Sequence, residues 1–144
     1  MVYRLTLSAI LGMAVGYERE HRRKPAGLRT YTLVATGATL FTMLSLVAAG
    51  NGSGAFAFDP SRIASQVVVG IGFIGGGLIF MKGERLEGLT TAAGLWVTAA
   101  IGMAVGFGFL TLAGYTGVLV LLVLWAMRMF EDFMHRCKPP TGGA

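Results

Sequence analysis

The chain has 144 residues, 54% of them hydrophobic and 13% charged, with a formal net charge of +5. Soluble domains carry about 25% charged residues, and the uncharged runs exclude a single soluble core: Tyr31–Ala49 lacks charge over nineteen residues and Gly88–Met127 over forty. The one cysteine, Cys137, excludes an internal disulfide or a cysteine-based metal cluster and reads as a free thiol.

A membrane span needs roughly 20 apolar residues to cross about 30 Å of hydrocarbon. On that measure the sequence predicts an all-α, polytopic transmembrane bundle of five spans over residues 1–130, followed by a short polar tail over 131–144. The first span, Met1–Tyr17, is short and is followed directly by Glu-Arg-Glu-His-Arg-Arg-Lys. A signal peptide places its positive charge before the apolar core, so this pattern fits a span better. The connector Glu18–Arg29 holds Arg19, Arg22, Arg23, Lys24 and Arg29.

The second span is Thr30–Ala49, and the small, polar connector Gly50–Asp59 centred on Asn51-Gly52-Ser53-Gly54 leads out of it. Asp59 and Pro60 suit a helix start and open the third span, Ile63–Met81. A tight charged turn, Lys82–Glu87, then leads into Leu89–Phe107. Gly106-Phe107-Gly108 breaks the long apolar run before the fifth span, Phe109–Met129.

Basic residues concentrate in cytoplasmic loops. The Glu18–Arg29 connector, the Lys82–Glu87 turn and the tail (Arg128, Arg136, Lys138) hold ten lysines and arginines, against Arg4 and Arg62 on the other side. The N-terminus is therefore expected outside and the C-terminus in the cytoplasm. Charge placed in this way points to a lipid bilayer as partner and not to nucleic acid. A weak internal echo, Arg4 and Gly12 against Arg62 and Gly70, suggests that spans one–two and three–four are parallel repeats.

Three GxxxG patterns lie within spans: Gly12/Gly16, Gly72/Gly76 and Gly102/Gly106. Small residues four apart let helix backbones approach closely. Gly70 and Gly77 extend the glycine face of the third span, which is expected at the centre of the bundle. Gln66 is the one side-chain amide inside a span, and a buried amide must find a partner. It either bonds a neighbouring helix or lines a polar pathway with Ser65, Thr98 and Thr42; Asp59, Arg62, Thr90 and Thr91 would stand at the mouths of such a pathway. The helix starts near Arg22, Arg23 and Arg29 form an anion-attracting cytoplasmic vestibule suited to lipid phosphates or a specific ligand.

No ionisable residue falls in the middle of a span. Proton relays and carboxylate metal cages need such groups, so a dehydrated Mg²⁺ cage is not expected. Nor is catalysis, since His21 and His135 lie in polar edges away from any nucleophile. No bound cofactor is expected.

The blocks RLTLSAILGMAVGYERE, AGLRTYTLVATGATLFTMLS, DPSRIASQVVVGIGFIGGGLIF and GLTTAAGLWVTAAIGMAVGFGF resemble the MgtC/SapB family of bacterial inner-membrane proteins. The family pattern falls on Glu18, Arg29, Thr30, Asp59, Arg62, Gln66, Gly70, Gly72, Thr90, Thr91 and Trp96. Many relatives have serine where this chain has Val69. Some carry a soluble C-terminal domain, and the chain reads as a short form without one. The resemblance implies a multi-pass inner-membrane protein of magnesium homeostasis, with Mg²⁺ as the transported or sensed ion. The alternative is a regulatory protein that acts on another membrane complex through its glycine faces; the partners expected are the bilayer and either a homo-oligomer or another inner-membrane complex.

Overall fold

The computed structural model describes residues 1–50 and 59–136; the Asn51–Gly54 connector, Cys137 and Lys138 lie outside them. Five helices follow in order: α1 (Val2–His21), α2 (Leu28–Gly50), α3 (Ser61–Gly77), α4 (Leu89–Phe107) and α5 (Leu110–Arg136). α2, α4 and the Leu110–Phe130 part of α5 are long and apolar enough to cross a membrane. α1 carries Arg4 and the Glu18-Arg19-Glu20 run, and α3 has only 17 residues.

The helices fall on the predicted spans with four corrections, the first being that α1 runs to His21, four residues past the expected Tyr17. α3 ends at Gly77, four residues short of the expected end, because Gly75-Gly76-Gly77 carries little helix propensity. The charged turn is a β-hairpin, β1 (Phe80–Lys82) antiparallel to β2 (Arg85–Glu87), so the chain is not wholly helical. Gly83, at φ +62°, takes the first position of its two-residue turn, where a type II′ geometry needs a left-handed residue. Lys82 Nζ lies 3.7 Å from Glu87 Oε1 across the pair. Finally, the tail begins as helix, since α5 continues to Arg136.

The core forms where α2 is gripped between α1 and α4. A Cβ on Gly12 would lie 2.8 Å from Ala35 Cβ, and one on Gly16 would lie 2.8 Å from Leu28 Cα. From the other side, a Cβ on Gly102 would strike the Ala35 carbonyl, and one on Gly106 would lie 2.6 Å from Thr42 Cβ. Backbones this close gain dispersion contacts that lipid cannot replace. Thr39 adds an interhelical hydrogen bond, its hydroxyl reaching the Gly102 carbonyl at 2.7 Å. α1 runs antiparallel to both neighbours, and α2 and α4 run parallel.

α3 sits at the edge of this bundle, not at its centre. Only Ile71 and Gly75 of α3 are buried, Gly75 against Ala92 of α4. Cβ atoms on Gly70, Gly72, Gly76 and Gly77 would meet nothing within 4 Å among the described residues. The echo between Gly12 and Gly70 therefore does not extend to packing. α5 covers α4 and α1 through the fully buried Ala113 and through Gly117, which faces Leu11.

Candidate functional site

The two ends of the bundle differ in charge. At one end, Arg4 Nη1 donates to the Gly106 carbonyl at 2.9 Å, placing a cation at the negative end of α4. Arg62 is exposed at the start of α3, at the same end. Asp59 Oδ1 accepts from the Ser61 amide at 2.9 Å, so Asp59 caps α3 one residue further out than the sequence suggests, with Pro60 at the N-cap. That bond holds the Asp59 carboxyl below the ordinary carboxylate value. Ser45 of α2 donates to the Pro60 carbonyl at 2.8 Å and ties the two helices together here.

The other end is basic and has a buried polar junction. The α1 face made by Ser8, Gly12, Val15 and Gly16 continues to Arg19, which is 4% exposed. Arg19 thus belongs to the packed bundle and not to a solvated connector. Its Nη2 donates to Thr91 Oγ1 at 3.0 Å. The fully buried Tyr31 of α2 donates through its hydroxyl to the Thr91 carbonyl at 3.1 Å, and Gly94 leaves the room its ring needs. Thr91 therefore joins the start of α4 to both α1 and α2. Gly88, at φ +95°, precedes it in a position where any Cβ would strike the Leu78 carbonyl.

The charges at this junction do not close on one another. Glu18 Oε2 lies 3.9 Å from Arg19 Nη1, and Glu18 Oε1 lies 3.5 Å from Arg22 Nε. Charge-assisted hydrogen bonds run at about 2.7–2.9 Å. Glu18 Oε2, Arg19 Nε and Arg22 Nε are all buried without a hydrogen-bond partner. Beyond them α1 ends in a Schellman turn: the Lys24 amide donates to the Arg19 carbonyl at 3.1 Å and the Arg23 amide to that of Glu20 at 2.9 Å. This turn holds Arg23 at φ +52°, where glycine is usual. Glu20 Oε2 then accepts from the Leu28 amide at 2.8 Å and starts α2.

A cavity of 700 Å³ opens over this junction. Glu18, Arg19, His21, Arg22, Arg23, Lys24 and Thr90 line one side, and Val123, Leu124, Met127 and Arg128 of α5 the other. The sequence-predicted Arg22, Arg23 and Thr90 meet here, and Thr91 lies buried behind them against Arg19. Arg29 is exposed on α2 and is not among the lining residues.

The remaining candidates do not converge. Thr98 is fully buried and donates to its own helix at Gly94, 2.8 Å away, as Thr42 does to Ala38. Ser65 and Gln66 lie exposed on α3, and Gln66 borders an apolar groove of 510 Å³ between α2 and α3. Among the described residues, no group of three or more His, Cys, Asp or Glu side chains is placed to hold a metal ion.

Sequence reasoning missed Arg19 and Tyr31. A signal for Arg19 was present, because at 100° per residue it lies seven residues, almost two turns, beyond Gly12 and shares its face. Nothing comparable marked Tyr31, whose burial depends on Gly94 sixty-three positions away.

The MgtC family pattern matches residues 5–133, nearly the whole described chain. The chain belongs to the MgtC family. It is 48% identical over 125 residues to the Escherichia coli K12 protein named "Putative magnesium transporter YhiD", covering 85% of this chain and 58% of that one. It is 44% identical over 114 residues to "Protein MgtC" of Brucella abortus, covering 79% and 45%. An uncharacterized Synechocystis protein is 42% identical over 132 residues, covering 92% and 54%. The chain thus spans about half the length of these relatives. No solved structure matches it. On this MgtC-family fold, Glu18, Thr90 and Thr91 gather at the basic junction. Asp59 and Arg62 mark the opposite end, and Gln66, Gly70, Gly72 and Trp96 are exposed.

Proposed function

We propose that this chain is a multi-pass protein of the bacterial inner membrane that serves magnesium homeostasis by contact with other membrane components, without itself conducting the ion or catalysing a reaction. The magnesium link is supported by the family and by the name of the Escherichia coli relative. The clustering of basic residues at the α1–α2 turn, the hairpin and the end of α5 supports an N-out, C-in orientation.

The observation that carries the non-conducting reading is the closed core. The buried hydroxyls of Ser8, Thr39, Thr42, Ser45 and Thr98 each donate to a backbone carbonyl. Glycines on α1 and α4 bring the backbones into contact across α2. Backbones in contact leave no room beside these hydroxyls for a hydrated ion, and Mg²⁺ gives up its water shell reluctantly. The cations at the basic end also repel a dication. Contact with another copy or another membrane complex is supported by α3, where Cβ atoms on Gly70, Gly72, Gly76 and Gly77 would meet no neighbour within 4 Å among the described residues.

A deletion strain complemented by this chain is expected to recover growth at limiting magnesium. Failure to recover, with insertion verified, would remove the magnesium link. The second reading, transport, is favoured by the relative's name, and ion flux separates it from the first.

A further inference from the structure

We propose that the cavity at the basic end binds a phosphate group, that of an anionic phospholipid whose acyl chain lies along α5. This inference is independent of the magnesium reading.

The first ground is charge. Arg19 is 4% exposed and lines the cavity, yet its Nε has no partner. Among the described residues Glu18 is the one carboxylate on the cavity wall, and it is divided between Arg19 and Arg22 at 3.9 and 3.5 Å. A single carboxylate cannot balance two guanidiniums, and a buried cation without a close counter-charge is costly. Arg23 and Lys24 add to the excess at the rim. A phosphodiester carries one negative charge and supplies the balance that Glu18 leaves short.

The second ground is the start of α4. Its N-cap, Gly88, gives no side-chain cap, and its first turn has no acidic residue. The first amides of a helix have no partner within it, and their positive end favours an anion. The Arg19 guanidinium lies against this same positive end through Thr91. Two like-signed features face each other, and an anion in the cavity beside Thr90 relieves both.

The third ground selects the source of the phosphate. Opposite the basic wall, beside Arg128, stand Val123 and Met127, 49% and 55% exposed on the apolar face of α5. A free anion gains nothing from them, whereas a lipid places its headgroup on the basic wall and its chain on this face. A volume of 700 Å³ falls within the 300–1,000 Å³ common for small-molecule sites and leaves room for a headgroup.

The test uses the purified full chain in mild detergent, exposed to equal phosphatidylglycerol and phosphatidylcholine and read by native mass spectrometry. Phosphatidylglycerol is expected to be retained in preference. The double variant Arg22→Gln/Arg23→Gln should lower that preference by about tenfold or more, while Arg22→Lys/Arg23→Lys keeps most of it and Arg62→Gln, at the opposite end, leaves it unchanged. Uptake of inorganic phosphate by calorimetry without lipid preference would support the phosphate site and overturn its lipid source. Equal retention of both lipids with no phosphate uptake, or an equal loss in Arg62→Gln, overturns the site. Should the double variant not purify, photoactivatable phosphatidylglycerol on the native chain decides. Adducts at residues 22–24 or 123–127 support the site, and adducts concentrated on α3 overturn it.

Discussion

Arg23 shows how one residue at the basic end serves two demands that conflict. The Schellman turn after α1 requires a left-handed residue, and a side chain there costs roughly 1–2 kcal/mol relative to glycine. Arg23→Gly is therefore expected to raise stability in detergent by about 1 kcal/mol, read by thermal unfolding. A loss of stability would mean that the Arg23 side chain contributes more than its backbone costs. At the opposite end, the Ser61 amide holds the Asp59 carboxyl below the ordinary value of 3.8. A depressed folded value gives a stabilisation that is present above the unfolded value and is lost as pH falls through the folded one. The melting difference between the native chain and Asp59→Ala should accordingly narrow on acidification. A constant difference would contradict the cap.

Among the elements, the three GxxxG patterns are alike in sequence and unlike in surroundings. Gly102→Ala puts a methyl against the Ala35 carbonyl, which is backbone and cannot swing aside. A loss of about 1–3 kcal/mol is expected. Gly72→Ala meets open space and should stay within about 0.5 kcal/mol. Unfolding of both variants in the same detergent checks the contrast, and equal losses would show that α3 is packed in the assembled protein. What the sequence made legible follows this division. Hydrophobic run length located all five helices and both ends of α4, because the bilayer imposes length whatever the neighbours are. It did not say which glycine face is covered, because that depends on the partner helix. The early end of α3 and the hairpin were hidden by an apolar run that continues through Phe80 and Met81. Arg19 was read as loop charge because its burial depends on the start of α4, seventy-two positions away.

For the whole molecule, the polar resources are divided by place. Hydroxyls and glycines close the α1–α2–α4 core, basic groups gather at one end with incomplete pairing, and Gly70, Gly72, Gly76 and Gly77 of α3 have no neighbour among the described residues. That division underlies the proposal that the chain acts in magnesium homeostasis through contact and not through conduction. The most direct test is Mg²⁺ flux into indicator-loaded liposomes holding the purified chain, with insertion verified and gradients applied in both directions. No flux above empty vesicles is expected. Gradient-driven flux that scales with the amount of protein would contradict it.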